Sequence, residues 1–301
     1  MSNLRNRLRG VFGFPVTPFQ PDLSLDLAAL ERNVDEMTRH PYCAIVASGG
    51  TGEIYSLTTE EAIEVVRIAV RATAGRMPVV AGVGYGTAIG TTMAKGMAKA
   101  GAEALLVLPP YYSHAPEAGW IAYYKAIGEA TDLPLALYSR DWANFTPDQV
   151  ARLADAVPTL QIWKDGQGNG RAYQRIMQKL GDRLAWIGGL GDDCAGTYWS
   201  IGVQAFTSSI SNVSAPIALA IAEAGQAQDF SRLNRILLKY VHPLYALREK
   251  MKGYEVSVMK EMMEMMGIPA GPVRPPLAPV TPEHKAELAK IVETYQNLDL
   301  A

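Results

Sequence analysis

The sequence predicts an α/β fold, and within that class a closed barrel of eight parallel strands that is followed by a C-terminal helical extension. Short apolar runs alternate with helical stretches from residue 11 to about residue 209, which is typical of βα repeats. Eight candidate strands can be counted, and the strand signals stop after Pro216. An open, doubly wound sheet has the same local pattern and is the alternative fold.

The candidate strands are short and apolar, and Gly, Pro or Asp separates them from the helices. The predicted strands are Val11–Val16, Ala44–Ala47, Val79–Ala81, Ala104–Leu108, Leu135–Tyr138, Gln161–Trp163, Ala185–Ile187 and Ala205–Thr207. The predicted helices between them span residues 25–39, 58–74, 87–100, 118–130, 146–156, 170–180 and 192–201. Thr58 with Glu61 forms a capping-box pattern, and Thr146-Pro147 is a good helix start. Both signals agree with the periodicity.

Only helical spacing continues after residue 216. Further helices are predicted over residues 218–224, 230–247, 254–266 and 282–295, with a Pro- and Gly-rich linker over 267–279. The methionine-rich run from Met259 to Met266 could form a binding surface, but packing against the barrel wall or a partner subunit is the preferred interpretation. We therefore expect one structural unit, in which residues 1–215 form a (β/α)8 TIM barrel with the active site and residues 216–301 pack on it.

Composition excludes several classes of function. The formal net charge of −2 gives no electrostatic footprint for nucleic acid. Two cysteines are too few for a disulfide scaffold, and four scattered histidines show no metal-ligand spacing, so no metal is expected. No apolar run reaches the ~20 residues of a membrane span, and no signal peptide is visible. A cytoplasmic protein without membrane segments is expected.

The active site of a parallel barrel lies at the carboxyl ends of its strands, so residues just after each predicted strand are candidates. Lys164 leaves a buried strand and would either become a neutral, nucleophilic amine or reach solvent beside Asp165. Tyr138 could relay protons, or it could be a structural tyrosine bonded to the backbone. Gly191 and Ser208 follow the seventh and eighth strands.

The glycine-rich turn after the second strand, residues 49–52, is a further candidate. Its backbone N–H groups and the Thr51 hydroxyl would suit a carboxylate, although a tight strand-to-helix turn explains the same glycines.

Six motifs, in order along the chain, resemble those of the dihydrodipicolinate synthase/N-acetylneuraminate lyase family. They are Phe14-Pro15-Val16-Thr17-Pro18-Phe19, Gly49-Gly50-Thr51-Gly52-Glu53, Pro110-Tyr111-Tyr112, Tyr138, Ile162-Trp163-Lys164-Asp165 and Gly191-Asp192-Asp193. Three segments look like those of 5-dehydro-4-deoxyglucarate dehydratases within this family: Tyr138-Ser139-Arg140-Asp141, Lys164-Asp165-Gly166-Gln167-Gly168 and the tail from Gly271 to Leu277. Gly50 replaces the first threonine of the common Gly-Thr-Thr-Gly-Glu motif, and Ser139 stands where the dehydratases usually have Asn.

The resemblance implies a Schiff-base lyase. Lys164 would form an imine with a 2-keto sugar acid, Tyr138 would relay the proton, and Thr51 with the Gly50 backbone would hold the carboxylate beside the ketone. Arg140 would be the partner of a distal carboxylate. Tyr112 would reach the neighbouring subunit's site, which implies a homo-oligomer, either a dimer or a tetramer.

The implied reaction is the decarboxylating dehydration of 5-dehydro-4-deoxyglucarate to 2,5-dioxopentanoate, without cofactor or metal. The alternatives are an aldolase that cleaves or forms a 2-keto-3-deoxy sugar acid with pyruvate, and a 2-keto-3-deoxy-pentonate dehydratase. A non-catalytic sugar-acid-binding regulator is a third class, and the intact Lys164 and Tyr138 count against it.

Overall fold

Eight parallel strands close into a barrel in chain order, with β8 pairing back to β1. The structure is a computed structural model that describes residues 4–111 and 114–300. The strands are β1 (Gly10–Gly13), β2 (Ala44–Ala47), β3 (Val79–Val83), β4 (Ala104–Val107), β5 (Leu135–Ser139), β6 (Leu160–Asp165), β7 (Ala185–Gly188) and β8 (Ala205–Ser208). The predicted TIM barrel is confirmed, and the open-sheet alternative is wrong.

Helices lie between the strands and continue beyond β8. They are α1 (Leu4–Arg7), α2 (Leu27–Met37), α3 (Thr59–Thr73), α4 (Thr87–Lys99), α5 (Glu117–Glu129), α6 (Pro147–Ala156), α7 (Gly170–Leu180), α8 (Ala195–Ser200), α9 (Ala215–Gln226), α10 (Phe230–Ile236), α11 (His242–Arg248), α12 (Tyr254–Met265) and α13 (Pro282–Gln296). The predicted starts of α3 and α6 are confirmed, since Thr58 and Thr146 each form a capping box, with Glu61 and Gln149 respectively.

Several predicted boundaries differ from those in the structure, among them the following three. The first strand ends at Gly13 because the backbone N–H groups of Phe14 and Val16 donate to Ser211 and Asn212 instead of continuing the sheet. The helix predicted over 230–247 is interrupted by a π-helical turn at Leu237–Val241. Pro243 follows and cannot donate the hydrogen bond that a regular α-helix requires. The helix predicted over 192–201 opens with a 3-10 turn before α8.

Strand alternation divides the core into two layers. Phe12, Val46, Leu106 and Ile162 belong to the cluster that fills the barrel interior, and their chain neighbours pack outward against the helices. Because successive side chains point to opposite faces, the residue two positions after Ile162 also points inward. That residue is Lys164.

The C-terminal helices pack against the barrel. α9 contacts β1, and Met259, Met262 and Met263 of α12 are buried in the outer core, in agreement with a packing role for the methionine-rich run. The division into residues 1–215 and 216–301 stays a prediction. None of the described helices is long and apolar enough to cross a bilayer.

Candidate active site

A cavity of about 850 Å³ opens at the carboxyl ends of the strands. It is lined by six of the predicted site residues, namely Gly50, Thr51, Tyr138, Arg140, Lys164 and Gly191. A groove of about 910 Å³ beside α2 and the 267–269 segment contains none of them. The predicted residues therefore converge on one cavity, which lies where parallel barrels place their chemistry.

Lys164 lies within β6, whereas the sequence had placed it just beyond the strand. Its backbone pairs with that of Tyr138 on β5, and the side chain is only 4% exposed. The Nζ atom donates to the Gly189 carbonyl oxygen at 2.8 Å and lies 3.3 Å from the centroid of the Tyr138 ring. Burial lowers the pKa of Lys164 well below its ordinary value, and the nearby Arg140 charge lowers it further, while Asp165 opposes the shift. The environment thus favours the neutral amine, which is the nucleophilic form.

Tyr138 points into the barrel for the same reason of alternation as Lys164. Its hydroxyl donates to the Gly189 carbonyl oxygen at 3.3 Å, so the two side chains share one acceptor. Burial raises the pKa of the Tyr138 phenol, which therefore keeps its proton near neutral pH. A proton donor and an amine accordingly meet at one backbone carbonyl. The same bond is also compatible with a structural tyrosine.

Gly189 and Asp165 fix the surroundings of Lys164. A Cβ atom on Gly189 would lie 2.4 Å from Lys164 Cγ, so only glycine leaves room for the lysine. Asp165 accepts hydrogen bonds from the Tyr198 hydroxyl at 2.8 Å and the Gly168 backbone at 3.0 Å. Asp165 therefore holds the loop after β6 instead of accepting from Lys164.

The turn that carries Gly50 and Thr51 is held by contacts with other parts of the chain. The Thr17 hydroxyl donates to the Gly52 carbonyl oxygen at 2.7 Å. Glu53 holds a left-handed backbone with φ of 55°, which is unfavourable for a residue with a side chain. Contacts from elsewhere in the fold must therefore hold it in place.

A buried ion pair supplies part of that support. Glu53 Oε1 lies 2.6 Å from Lys260 Nζ of α12, and both side chains are almost completely buried. Lys260 also donates to the Pro272 carbonyl oxygen at 2.8 Å. Burial lowers the pKa of Lys260 to about 8, although the Glu53 charge opposes this. The C-terminal helices thereby hold the turn on which Thr51 lies.

Lys260→Met is expected to reduce the free energy of unfolding by about 3–5 kcal/mol, because it leaves the Glu53 carboxylate buried without its partner. Urea unfolding monitored by circular dichroism measures the loss. Lys285→Met, which breaks the more exposed pair with Glu261, is the matched control and should lose less than about 1 kcal/mol. Similar losses in the two variants would contradict a supporting role for the buried pair.

The remaining predicted residues differ in their placement. Arg140 lines the cavity, but its Nη1 donates to the Gly166 carbonyl oxygen at 3.4 Å and its Nε lies 3.4 Å from Asp141. Ser208 does not line the cavity. It is fully buried and accepts from the Ser211 backbone N–H, because strand alternation turns its side chain away from the barrel interior. Tyr112 lies outside the described residues.

The strand-end criterion missed several residues that line the cavity. Thr207 lies within β8, and Tyr245 and Arg248 come from α11. Ser209, which also lines the cavity, directly follows β8 and does satisfy the criterion. The sequence does contain one indication that α11 carries a functional residue. Leu244, Leu247 and Arg248 share the helix face that is buried in the structure, so an arginine occupies an otherwise apolar stripe.

Charge is distributed unevenly along the cavity wall. Three of the lining side chains are cationic, namely Arg140, Arg248 and Lys252, beside the Lys164 amine, whose environment favours the neutral form, and two are acidic, namely Asp141 and Glu255. Such an excess of basic groups favours an anionic ligand. Among the described residues, no cluster of three His, Cys, Asp or Glu side chains is suited to a metal ion.

The model of the dihydrodipicolinate synthetase family matches residues 7–295. A protein of Bradyrhizobium diazoefficiens named probable 5-dehydro-4-deoxyglucarate dehydratase is 41% identical over 286 residues, which cover 94% of this chain and 91% of the relative. A protein of the same name from Rhodococcus opacus is 40% identical, with 94% of each chain covered. The crystal structure of dihydrodipicolinate synthase from Bacillus clausii superposes with a TM-score of 0.92 at 30% identity, covering 98% of this chain and 100% of that one. The chain is therefore an enzyme of the dihydrodipicolinate synthetase family, a family of lyases.

Proposed function

We propose that the protein is a Schiff-base dehydratase that converts 5-dehydro-4-deoxyglucarate to 2,5-dioxopentanoate, water and carbon dioxide. The observation that carries the proposal is the buried Lys164, with its lowered pKa, beside the Tyr138 phenol in a cavity rich in basic side chains. The names of the relatives that are about 40% identical supply the substrate.

The first step is formation of the imine. The neutral Lys164 amine attacks the ketone carbon, and the carbinolamine loses its hydroxyl as water to give an iminium ion. The Tyr138 phenol, which hydrogen-bonds to the same carbonyl oxygen as Lys164, is placed to donate the proton that this water needs. Thr51 and the Gly50 backbone would bind the carboxylate next to the ketone.

Dehydration is the next step, and it depends on the iminium nitrogen as an acceptor of electrons. A proton leaves the adjacent methylene, and the electrons of that C–H bond move to the iminium nitrogen to give an enamine. The electrons then return and expel the β-hydroxyl, which leaves as water with a proton from the Tyr138 relay. The product is an iminium conjugated to a new carbon–carbon double bond.

Loss of carbon dioxide uses the same electron sink. The bond to the far carboxyl breaks, and its electrons pass through the conjugated system to nitrogen. The enamine that remains takes up a proton on the carbon next to the nitrogen-bearing carbon and becomes an iminium ion again. The enol takes up a second proton on carbon and loses its hydroxyl proton to become an aldehyde, and water then hydrolyses the iminium ion and frees Lys164. The protein supplies both the nucleophile and the electron sink, so these steps draw on no cofactor.

Incubation with 5-dehydro-4-deoxyglucarate tests the proposal. One carbon dioxide and one 2,5-dioxopentanoate should appear for each substrate consumed, as measured by trapped carbonate and by NMR. Release of pyruvate with a three-carbon acid would identify the aldolase instead. That alternative has support in the 30% identity to a dihydrodipicolinate synthase across nearly the whole chain. Preferred turnover of a 2-keto-3-deoxy-pentonate, without carbon dioxide, would identify the third alternative.

A further inference from the structure

Arg248 is a buried cation in the cavity wall that the proposed mechanism does not use. The residue is 9% exposed, at the end of α11, and lines the same cavity as Lys164. Its Nη1 donates to the Ser209 hydroxyl at 2.9 Å, while its buried Nε has no hydrogen-bond partner within the described part of the chain. A buried donor without a partner is rare in folded proteins and requires an explanation.

The guanidinium also lacks a direct counter-ion. Within residues 4–111 and 114–300, no carboxylate oxygen approaches it to within 4.0 Å. Ser209 links Arg248 indirectly to Asp192, because its backbone N–H and its hydroxyl donate to Asp192 Oδ2 at 3.2 Å and 3.4 Å. That oxygen already accepts the Tyr245 hydroxyl at 2.9 Å. A buried charge that is not paired directly is unfavourable, and an anionic ligand would relieve this.

The neighbours of Arg248 hold it in position. The Tyr245 ring lies 4.5 Å from the guanidinium carbon and stacks against it. Tyr245 also donates to Asp192 and accepts from the Asp192 backbone N–H, which fixes the ring. A Cβ atom on Gly191 would lie 2.8 Å from this ring, so the predicted substrate residue Gly191 also serves to admit Tyr245. The arginine is therefore pre-ordered before any ligand arrives.

Arg140, the arginine that the sequence offered for a distal carboxylate, is less suited to that task. Its side chain is 39% exposed and pairs with Asp141. Arg248 is buried and has no such partner. Of the two arginines in the cavity, Arg248 has more to gain from binding a carboxylate.

We infer that Arg248, held in position by the Ser209 hydroxyl, binds the far carboxylate of the substrate and makes the enzyme selective for dicarboxylic 2-keto acids. This inference rests on the proposed function, because it assumes that the ketone end of the ligand lies at Lys164. The ligand would span the cavity from the β6 lysine to the end of β8. Arg248 is a binding residue in this scheme and takes no part in proton transfer.

Two six-carbon acids that differ at one end test the inference. 2-Oxoadipate has the far carboxylate, and 2-oxohexanoate has a methyl group in its place. The half-saturating concentration of each is measured by borohydride trapping on intact protein and independently by calorimetry. Arg248→Met should raise that concentration by about 10- to 100-fold for 2-oxoadipate and by less than about threefold for 2-oxohexanoate, because only the diacid loses a charge-assisted hydrogen bond.

Comparison of the two acids on one variant removes the effect of partial unfolding, which acts equally on both. Arg248→Lys keeps the charge and should give an intermediate shift. Arg235→Met, at an exposed position on α10, is the matched control and should behave as the wild type. With 5-dehydro-4-deoxyglucarate, Arg248→Met should raise KM more than it lowers kcat.

The outcomes separate this inference from the proposed function. If no adduct forms with either acid, the imine is wrong, and calorimetry still reports the preference for the diacid. The assignment of Arg248 is overturned if the wild type binds the two acids equally or binds neither. It is also overturned if Arg140→Met removes the preference for the diacid and Arg248→Met does not.

Discussion

Lys164→Ala is expected to lower kcat for 5-dehydro-4-deoxyglucarate by about four orders of magnitude or more, because it removes both the nucleophile and the electron sink. Mass spectrometry after borohydride reduction with pyruvate should find the adduct on Lys164 in the wild type and none in the variant. The variant also removes a buried amine, and burial of an amine is unfavourable. The melting temperature should therefore fall too little for unfolding to explain the loss of activity. Lys95→Ala, an exposed change, is the control and should retain full activity. Residual turnover of Lys164→Ala above about 1% would rule out the imine mechanism.

The same reaction should show the lowered pKa of Lys164. An ordinary lysine has a pKa near 10.5 and is almost fully protonated at neutral pH. Because the pKa of Lys164 is lowered, its neutral form should persist well below pH 10.5. The initial trapping rate should therefore stay high into the neutral range and decline only as the pH falls through the lowered pKa. A rate that keeps rising up to pH 10.5 would show that the lysine is not perturbed in solution.

Tyr138→Phe is expected to lower kcat by about 10²- to 10⁴-fold, which is the range for loss of a general acid–base group. The hydroxyl bond to Gly189 is long, at 3.3 Å, so its loss should affect stability little, and the ring that covers Lys164 remains. Adduct formation with pyruvate should persist but become slower. Steady-state kinetics and trapping rates measure the two effects.

Tyr123→Phe is a matched control for this variant. Tyr123 is buried and Tyr138 is half-buried, and the Tyr123 hydroxyl likewise donates to a backbone carbonyl, that of Leu108, at 3.3 Å. It lies on α5 and does not line the cavity. Loss of a buried tyrosine hydroxyl should have the same effect on stability in both variants, and only Tyr138→Phe should lose activity. If Tyr138→Phe stayed within about threefold of the wild type, the tyrosine would be structural.

The fold and the centre of the site could be predicted from the sequence because they depend on local patterns. Short apolar runs bounded by turn residues identify eight strands, and the strand ends then identify Lys164 and Tyr138. Ser208 shows that a prediction from strand ends can fail by a single position. A shift of one residue along a strand exchanges the two faces, so Thr207 and Ser209 line the cavity and Ser208 does not.

Contacts between distant parts of the chain could not be predicted in this way. Glu53 and Lys260 meet only because α12 packs beside the turn after β2, and no local pattern gives that packing. Arg248 reaches the cavity for a similar reason, because α11 lies close enough to the segment after β8 for Arg248 to donate to Ser209. The apolar stripe around it indicated burial, but not what the buried charge would face.

The ion pair between Glu53 and Lys260 bears on how this enzyme could be re-engineered. The helices after β8 contribute Arg248 to the cavity wall and Lys260 to the support of the turn that carries Gly50 and Thr51. A chimera that grafts the barrel of one relative onto the helices of another would exchange both contributions at once. The substrate range and the thermal stability of the chimera would then both depend on which relative supplied the helices. Selection of chimeras for one of these properties would therefore also change the other.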